Sequence, residues 1–129
     1  MLTAVSSFSG ISVDNIEKAR VFYADTLELI LKDDRMGLLF ELPGGGQLFM
    51  YEKASHQPAD FTVLNFVVEN INETVDHLIH EHGIIFERYE NLPASQDERG
   101  ILRGKAVGQG PDIAWFTDPA GNVLSIIED

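Results

Sequence analysis

The chain is 129 residues long, contains no cysteine and carries a formal net charge of −12. That length suits one domain, or two small modules sharing a core. The missing thiols exclude disulfide scaffolds, thiolate nucleophiles and zinc ribbons, and the negative charge opposes phosphate backbones and anionic lipid, so neither nucleic acid nor membrane is an expected partner. No apolar run reaches the roughly 20 residues of a membrane helix. Met1 to Gly10 carries no signal-peptide pattern, and a cytoplasmic location is expected.

The first element is a short strand up to Val13. Asp14 or Asn15 then offers a side-chain oxygen as helix N-cap, with Glu17 placed as in a capping box. Ile16, Ala19, Tyr23 and Leu27 recur at helical spacing, and Glu28 stands where a helix would prefer a left-handed glycine. Strand-like runs follow at Leu29 to Lys32, Gly37 to Leu42 and Gln47 to Glu52, with a hairpin turn at Gly44-Gly45-Gly46. A phosphate-binding reading of that turn fails because no helix and no GK[ST] follow it.

The second half repeats this order. Gly10 to Glu17 aligns with Asn65 to Asn72, and Pro43 to Leu48 aligns with Pro119 to Leu124 at a longer spacing, so the second copy carries an insertion. Its helix is capped by Asn70 with Glu73, has the apolar stripe Ile71, Val75, Leu78 and Ile79, and ends at Gly83. Its strands are expected at Ile84 to Glu90, Ile113 to Thr117 and Asn122 to Ile127, with a turn at Ala120-Gly121-Asn122. The reading is α+β: a single domain over 1–129 made of two βαβββ modules in tandem, about 5–54 and about 60–129, with an inserted loop over 90–111. The modules are expected to form a curved mixed sheet with a central cleft, where a ligand belongs.

Strand alternation assigns Ile11, Val13, Leu48, Met50, Leu64, Phe66, Val68, Leu124 and Ile126 to the helix side. The other parity, lining the cleft, comprises Phe8, Ser12, Gln47, Phe49, Tyr51, Val63, Asn65, Ser125 and Ile127. It is mostly apolar and aromatic, with a few hydrogen-bonding groups. Such a face serves either as a pocket for a small molecule or as a core closed by its own side chains.

Val13-Asp14 ahead of Ala19, the pair Phe22-Tyr23, Leu27 and Leu29, then Phe66-Val67-Val68, Gly83 and Asp118-Pro119-Ala120-Gly121-Asn122 resemble the vicinal oxygen chelate superfamily. That superfamily includes glyoxalase I, bleomycin-resistance and fosfomycin-resistance proteins and extradiol dioxygenases. The resemblance covers about residues 7 to 127, and the stretch from Tyr51 to Phe66 is similar to a bacterial glyoxalase-like subgroup. It implies a divalent metal held by one His or Glu from each of four strands. The matching positions here are Phe8, Phe49, Val63 and Ser125, and a shift of one residue brings no His or carboxylate to them. No metal and no other cofactor is therefore expected.

His77, His80 and Glu81 share a helix face turned to solvent by the buried Leu78 and Ile79. His56, in the linker between modules, is with Tyr51 the best placed general acid or base. Arg99, Arg103 and Lys105 of the inserted segment, with Arg88 just before it, are four of the nine basic residues, and the segment is either a lid that brings a cation to the ligand or a plain solvated loop. The serines have no histidine at a motif spacing, and no nucleophilic triad is read.

The expected function is metal-independent binding of a small organic ligand in the cleft. Phe8, Phe49, Val63 and Trp115 would hold its body, Ser12, Tyr51, Asn65 and Ser125 would offer polar contacts, and Arg103 would meet an anionic group. The alternative is a lyase, isomerase or dioxygenase-type enzyme with an atypical or absent metal site. Superfamily habit and unpaired edge strands imply a homodimer.

Overall fold

The computed structural model describes all residues 1–129 and consists of two compact units, Met1–Pro58 and Ala59–Asp129.

The first unit runs β1 (Ser9–Val13), α1 (Ile16–Arg20, prolonged as a π-helix over Val21–Thr26), β2 (Ile30–Asp33), β3 (Leu38–Glu41) and β4 (Gln47–Glu52). Its sheet has the order β1-β4-β3-β2, with β1 parallel to β4 and the other pairs antiparallel. Of the two possible caps Asn15 is the one used: its Oδ1 accepts from Lys18 N at 3.0 Å, while Glu52 Oε1 takes the next orphan donor, Ile16 N, at 2.9 Å. The π-helical turn closes where Leu27 N donates to Phe22 O at 2.9 Å. Glu28 then adopts the left-handed φ of 57° that a glycine would take without strain. The wide turn lets Phe22 and Tyr23 both enter the core, where Tyr23 meets Phe40. Val13, Leu38, Leu48 and Met50 complete that core from the sheet.

The second unit runs β5 (Thr62–Val67), α2 (Ile71–His82), β6 (Leu102–Arg103), a single 3-10 turn (Lys105–Val107), β7 (Asp112–Thr117) and β8 (Val123–Glu128). Its sheet order is β5-β8-β7-β6, again with the first pair parallel. The capping device repeats: Asn70 Oδ1 accepts from Glu73 N at 3.1 Å and Glu128 Oε1 accepts from Ile71 N at 3.0 Å. Gly83 ends α2 at a φ of 67°. Ile71, Val75 and Leu78 pack on Ala114, Phe116, Leu124 and Ile126, all buried. No helix is long and apolar enough to cross a membrane.

One expected strand is corrected. Ile84 to Glu90 is not a strand; the outer strand of the second sheet is the two-residue β6, supplied by the inserted segment. The backbone of 84–90 makes a single bond to the sheet, Glu87 N to Trp115 O at 2.7 Å. Instead the Gln96 side chain acts as a local partner, accepting from Tyr89 N at 2.9 Å and donating to Glu87 O at 3.0 Å and Gly100 O at 2.8 Å.

The Asp-Pro-Ala-Gly-Asn motif is structural in its effect. Asp118 Oδ1 accepts from Ala120 N and Asn122 N, both at 2.9 Å, and Oδ2 accepts from Asn122 Nδ2 at 3.0 Å, which closes the β7–β8 turn around two buried polar side chains.

Candidate functional site

In β3 and β4 the side chains of Leu38, Phe40, Leu48 and Met50 turn to the helix and are buried. The alternating Leu39, Gln47 and Phe49 therefore share the opposite face. On that face lies a cavity of about 560 Å³, lined by Phe8, Asp33, Arg35, Met36, Gly37, Leu39, Gln47 and Phe49. Phe8 meets Phe49 edge-on at 6.3 Å between centroids, and Phe49 stacks with Tyr51 at 6.1 Å, so the three rings form a row. Gly37 is there because the chain passes against that row: a Cβ on it would lie 2.8 Å from Phe49 Cζ and 2.5 Å from Met50 O.

The cavity carries one ion pair. Arg35 Nε lies 3.1 Å from Asp33 Oδ1 and Nη2 lies 2.7 Å from Oδ2, a two-pronged contact. Hydrogen bonding from the Arg35 side chain, and then from its backbone N–H, pulls the Asp33 carboxyl down to about 2. Arg35 remains 84% exposed, leaving its outer edge open to solvent or to a ligand.

Ser12 and His56 are brought together by the fold, 44 positions apart in sequence, with Ser12 Oγ 2.6 Å from His56 Nδ1 in a partly buried contact. Ser12 sits opposite Tyr51 in the β1–β4 register, on the face of the aromatic row. No motif spacing signals this pair, because it is made by a strand and a linker.

The remaining expected contacts lie in the second unit. Asn65 of β5 faces Ser125 of β8, which in turn faces Trp115 of β7. Ser125 is fully buried and its hydroxyl lies 2.5 Å from Asn65 Oδ1. It was expected to touch a ligand, whereas Asn65, exposed, is the member of the pair that reaches the surface. Trp115 packs edge-on against Tyr89 at 5.4 Å, and burial, followed by the Glu87 charge, raises the Tyr89 phenol above its ordinary value. Val63 is half-buried at the irregularity in β5.

Arg103, expected to meet an anionic group of a ligand, is placed among carboxylates of its own chain. Its Nη2 lies 2.9 Å and its Nε 3.1 Å from Asp97 Oδ2, its Nη1 lies 3.2 Å from Asp112 Oδ2, and Nη2 also donates to Asn72 of α2. Asp112 shares the strand face of the buried Ala114 and Phe116, so the guanidinium is turned to the helix-covered side and held there. Within the inserted segment Asp97 accepts from Arg99 N and Ile101 N, both at 2.9 Å, and Ile101 and Leu102 enter the core, while residues 105–110 are exposed. Burial pushes Asp97 up, but those N–H donors and Arg103 outweigh it and leave the carboxyl below its ordinary value.

The metal set implied by the resemblance fails on donor chemistry. Phe8, Phe49 and Val63 have no donor atom, and the Ser125 hydroxyl is engaged by Asn65. His77, His80 and Glu81 are exposed on α2, and no three His, Asp or Glu side chains converge as a metal-binding group. The residues present do not fit a chelated metal.

Asp33, Arg35, Met36, Gly37 and Leu39 line the cavity without having been singled out in the sequence. Alternation around Leu38 and Phe40 is a signal for Leu39; the turn residues 33–37 carry none.

No family model and no curated protein matches the sequence. Solved structures do. The glyoxalase family protein from Enterococcus faecalis is 20% identical, with 99% of this chain and 100% of that chain covered at a TM-score of 0.68. The fosfomycin resistance protein FosX from Listeria monocytogenes is 14% identical, with 99% and 95% covered at 0.68. TnmS3, an antibiotic binding protein from a Streptomyces species, is 22% identical, with 98% and 98% covered at 0.65. The first two are proteins of the vicinal oxygen chelate superfamily, and the chain has the tandem βαβββ fold of these structures.

Proposed function

We propose that the chain binds a small organic molecule with a flat aromatic or apolar body in the cavity beside Phe8 and Phe49, and that it does so without a chelated metal. The observation that carries this reading is the cavity itself: about 560 Å³ with Phe8, Met36, Leu39 and Phe49 among its walls and one cation, Arg35, among them. Burial of about 200 Å² of apolar ligand surface at roughly 25 cal/mol per Å² supplies on the order of 5 kcal/mol before the costs of association, so micromolar affinity needs the polar contacts too. Gln47 and the outer edge of Arg35 are placed to supply them. The likeness to the antibiotic binding protein TnmS3 and to the fosfomycin resistance protein FosX favours an antibiotic-like ligand, and TnmS3 favours holding it by sequestration. The exposed Leu2, Val5 and Phe61, and the edge strands of each sheet, favour a homodimer.

The test is a thermal-shift and calorimetric screen of aromatic carboxylates, phenols and antibiotics on the wild type and on Phe49→Glu. Phe49→Glu puts a charge on the cavity wall and is expected to weaken an aromatic hit by more than about tenfold while the fold survives. Hits of equal affinity in both proteins would overturn the site. Turnover of a bound hit would replace sequestration by the enzyme reading.

A further inference from the structure

We propose that Ser12 is an acyl-accepting nucleophile and His56 its base, a metal-free dyad that takes the acyl group of an aryl ester. The inference goes beyond ligand binding and does not need the cavity to be occupied.

The geometry is that of an activated hydroxyl. Ser12 Oγ and His56 Nδ1 are 2.6 Å apart, within the range at which an imidazole takes a hydroxyl proton. Both partners are set by backbone bonds. Ser12 lies in the parallel β1–β4 ladder opposite Tyr51. Lys53 N donates to Val13 O at 2.9 Å, extending that ladder by one bond, and His56 N donates to Lys53 O at 3.0 Å, closing a turn that returns the imidazole to Ser12. The pair is partly buried, which limits water while leaving the hydroxyl within reach. Beside it stands Tyr51, 42% exposed and stacked with Phe49, a surface suited to the aromatic part of an ester.

With the ring proton on Nε2, Nδ1 accepts the Ser12 hydroxyl proton. As that proton moves to Nδ1, Oγ forms a bond to the acyl carbon, and the bond from that carbon to the aryl oxygen breaks. The departing oxygen takes the proton back from the imidazolium, which leaves an acyl ester on Ser12 and a free phenol. Water then gives a proton to Nδ1 and its oxygen attacks the acyl carbon. Oγ leaves and regains the proton, so a carboxylic acid is released and the dyad restored.

The probe is p-nitrophenyl acetate, read by nitrophenol release and by intact and peptide mass. One acetyl group per chain on Ser12 is expected, absent in Ser12→Ala, formed at least about 100-fold more slowly in His56→Gln, and restored as a thioester in Ser12→Cys. Ser125→Ala is expected to acetylate at the wild-type rate because Ser125 is buried and already bonded to Asn65. His56→Gln, outside the cavity lining, is expected to keep the aromatic hits of the ligand screen while losing acetylation, so the two readings fail separately. Acetylation at lysine or tyrosine with none at Ser12, or an unchanged rate in a folded His56→Gln variant, would overturn the proposal.

Discussion

Arg103 and Asp112 face each other across β6 and β7, with Nη1 3.2 Å from Oδ2, and this contact commits the guanidinium to the sheet. Asp112 is only 7% exposed. A buried carboxylate is expensive to leave unpaired, so the guanidinium is held where the sheet needs it. Arg103→Met removes the guanidinium from both Asp112 and Asp97, leaving them their backbone N–H donors, and is expected to destabilise the protein by about 2–4 kcal/mol, read as a lower urea midpoint. Ligand affinity in the first unit is expected to be unchanged.

The acid side of the stability profile follows from Asp33 and Asp97. Asp33 titrates at about 2 when folded against an ordinary value of 3.8, and Asp97 is also below its ordinary value. A carboxyl whose folded value is depressed binds its proton more readily in the unfolded chain. Its contribution is therefore complete above about pH 4 and is lost as pH falls towards the folded value, which for Asp33 is the window from 3.8 to about 2; solvent screening keeps that contribution small for the exposed Asp33–Arg35 pair. Thermal unfolding across pH 2 to 6 is expected to show a falling midpoint only in the lower half, with a shallower fall in Arg103→Met because Asp97 has then lost the nearer of its two cations and keeps only Arg99, at 3.6 Å.

Gly37→Ala tests the wall of the cavity without touching its chemistry. The added Cβ would sit 2.5 Å from Met50 O and 2.8 Å from Phe49 Cζ, at a φ of 141°. Backbone cannot retreat as a flexible side chain can, so a loss of about 1–3 kcal/mol in stability is expected. The Phe49 ring is expected to shift, and an aromatic ligand to bind more weakly. Unchanged affinity at unchanged stability would show that the ring has room the geometry denies it.

Elemental analysis of protein purified without chelator is expected to find no stoichiometric divalent metal, and EDTA is expected to leave ligand binding intact. The reason is chemical: two phenylalanines, a valine and an engaged serine occupy the four places. One tightly bound metal per chain, lost on replacing His77 or His80, would point instead to the exposed face of α2.

The tandem modules were legible because their signals are local and occur twice. The Asn15 and Asn70 caps, the Gly83 terminus and the glycine turns are each set by a few neighbouring residues. Even the uneasy helix end at Glu28 could be read, and its φ of 57° bears it out. The outer strand of the second sheet was not legible, because Ile84 to Glu90 has strand composition, yet Gln96 from the inserted segment takes over its hydrogen bonds. Long-range polar pairing was equally silent. Nothing near Ser12 points to His56, and nothing near Arg103 says that Asp97, Asp112 and Asn72 will share it.

Arg35 and Arg103 together make the sharpest test of where an anionic ligand sits. Both are arginines paired with aspartate, but Arg103 is 30% exposed between two carboxylates and Arg35 is 84% exposed beside one. An anion reaching Arg103 would have to displace buried partners, whereas at Arg35 it meets the edge of the guanidinium that Asp33 does not use. Arg35→Ala is therefore expected to weaken an aromatic carboxylate by about threefold to fivefold, the scale of an exposed ion pair, with the melting temperature nearly unchanged and the effect diminishing in high salt. The neutral amide of the same molecule is expected to bind both proteins alike. Arg103→Ala is expected to show the reverse pattern, a lower melting temperature with carboxylate affinity retained. If the carboxylate instead lost affinity only in Arg103→Ala, the anion would lie in the second unit and the cavity beside Phe8 and Phe49 would not be its site.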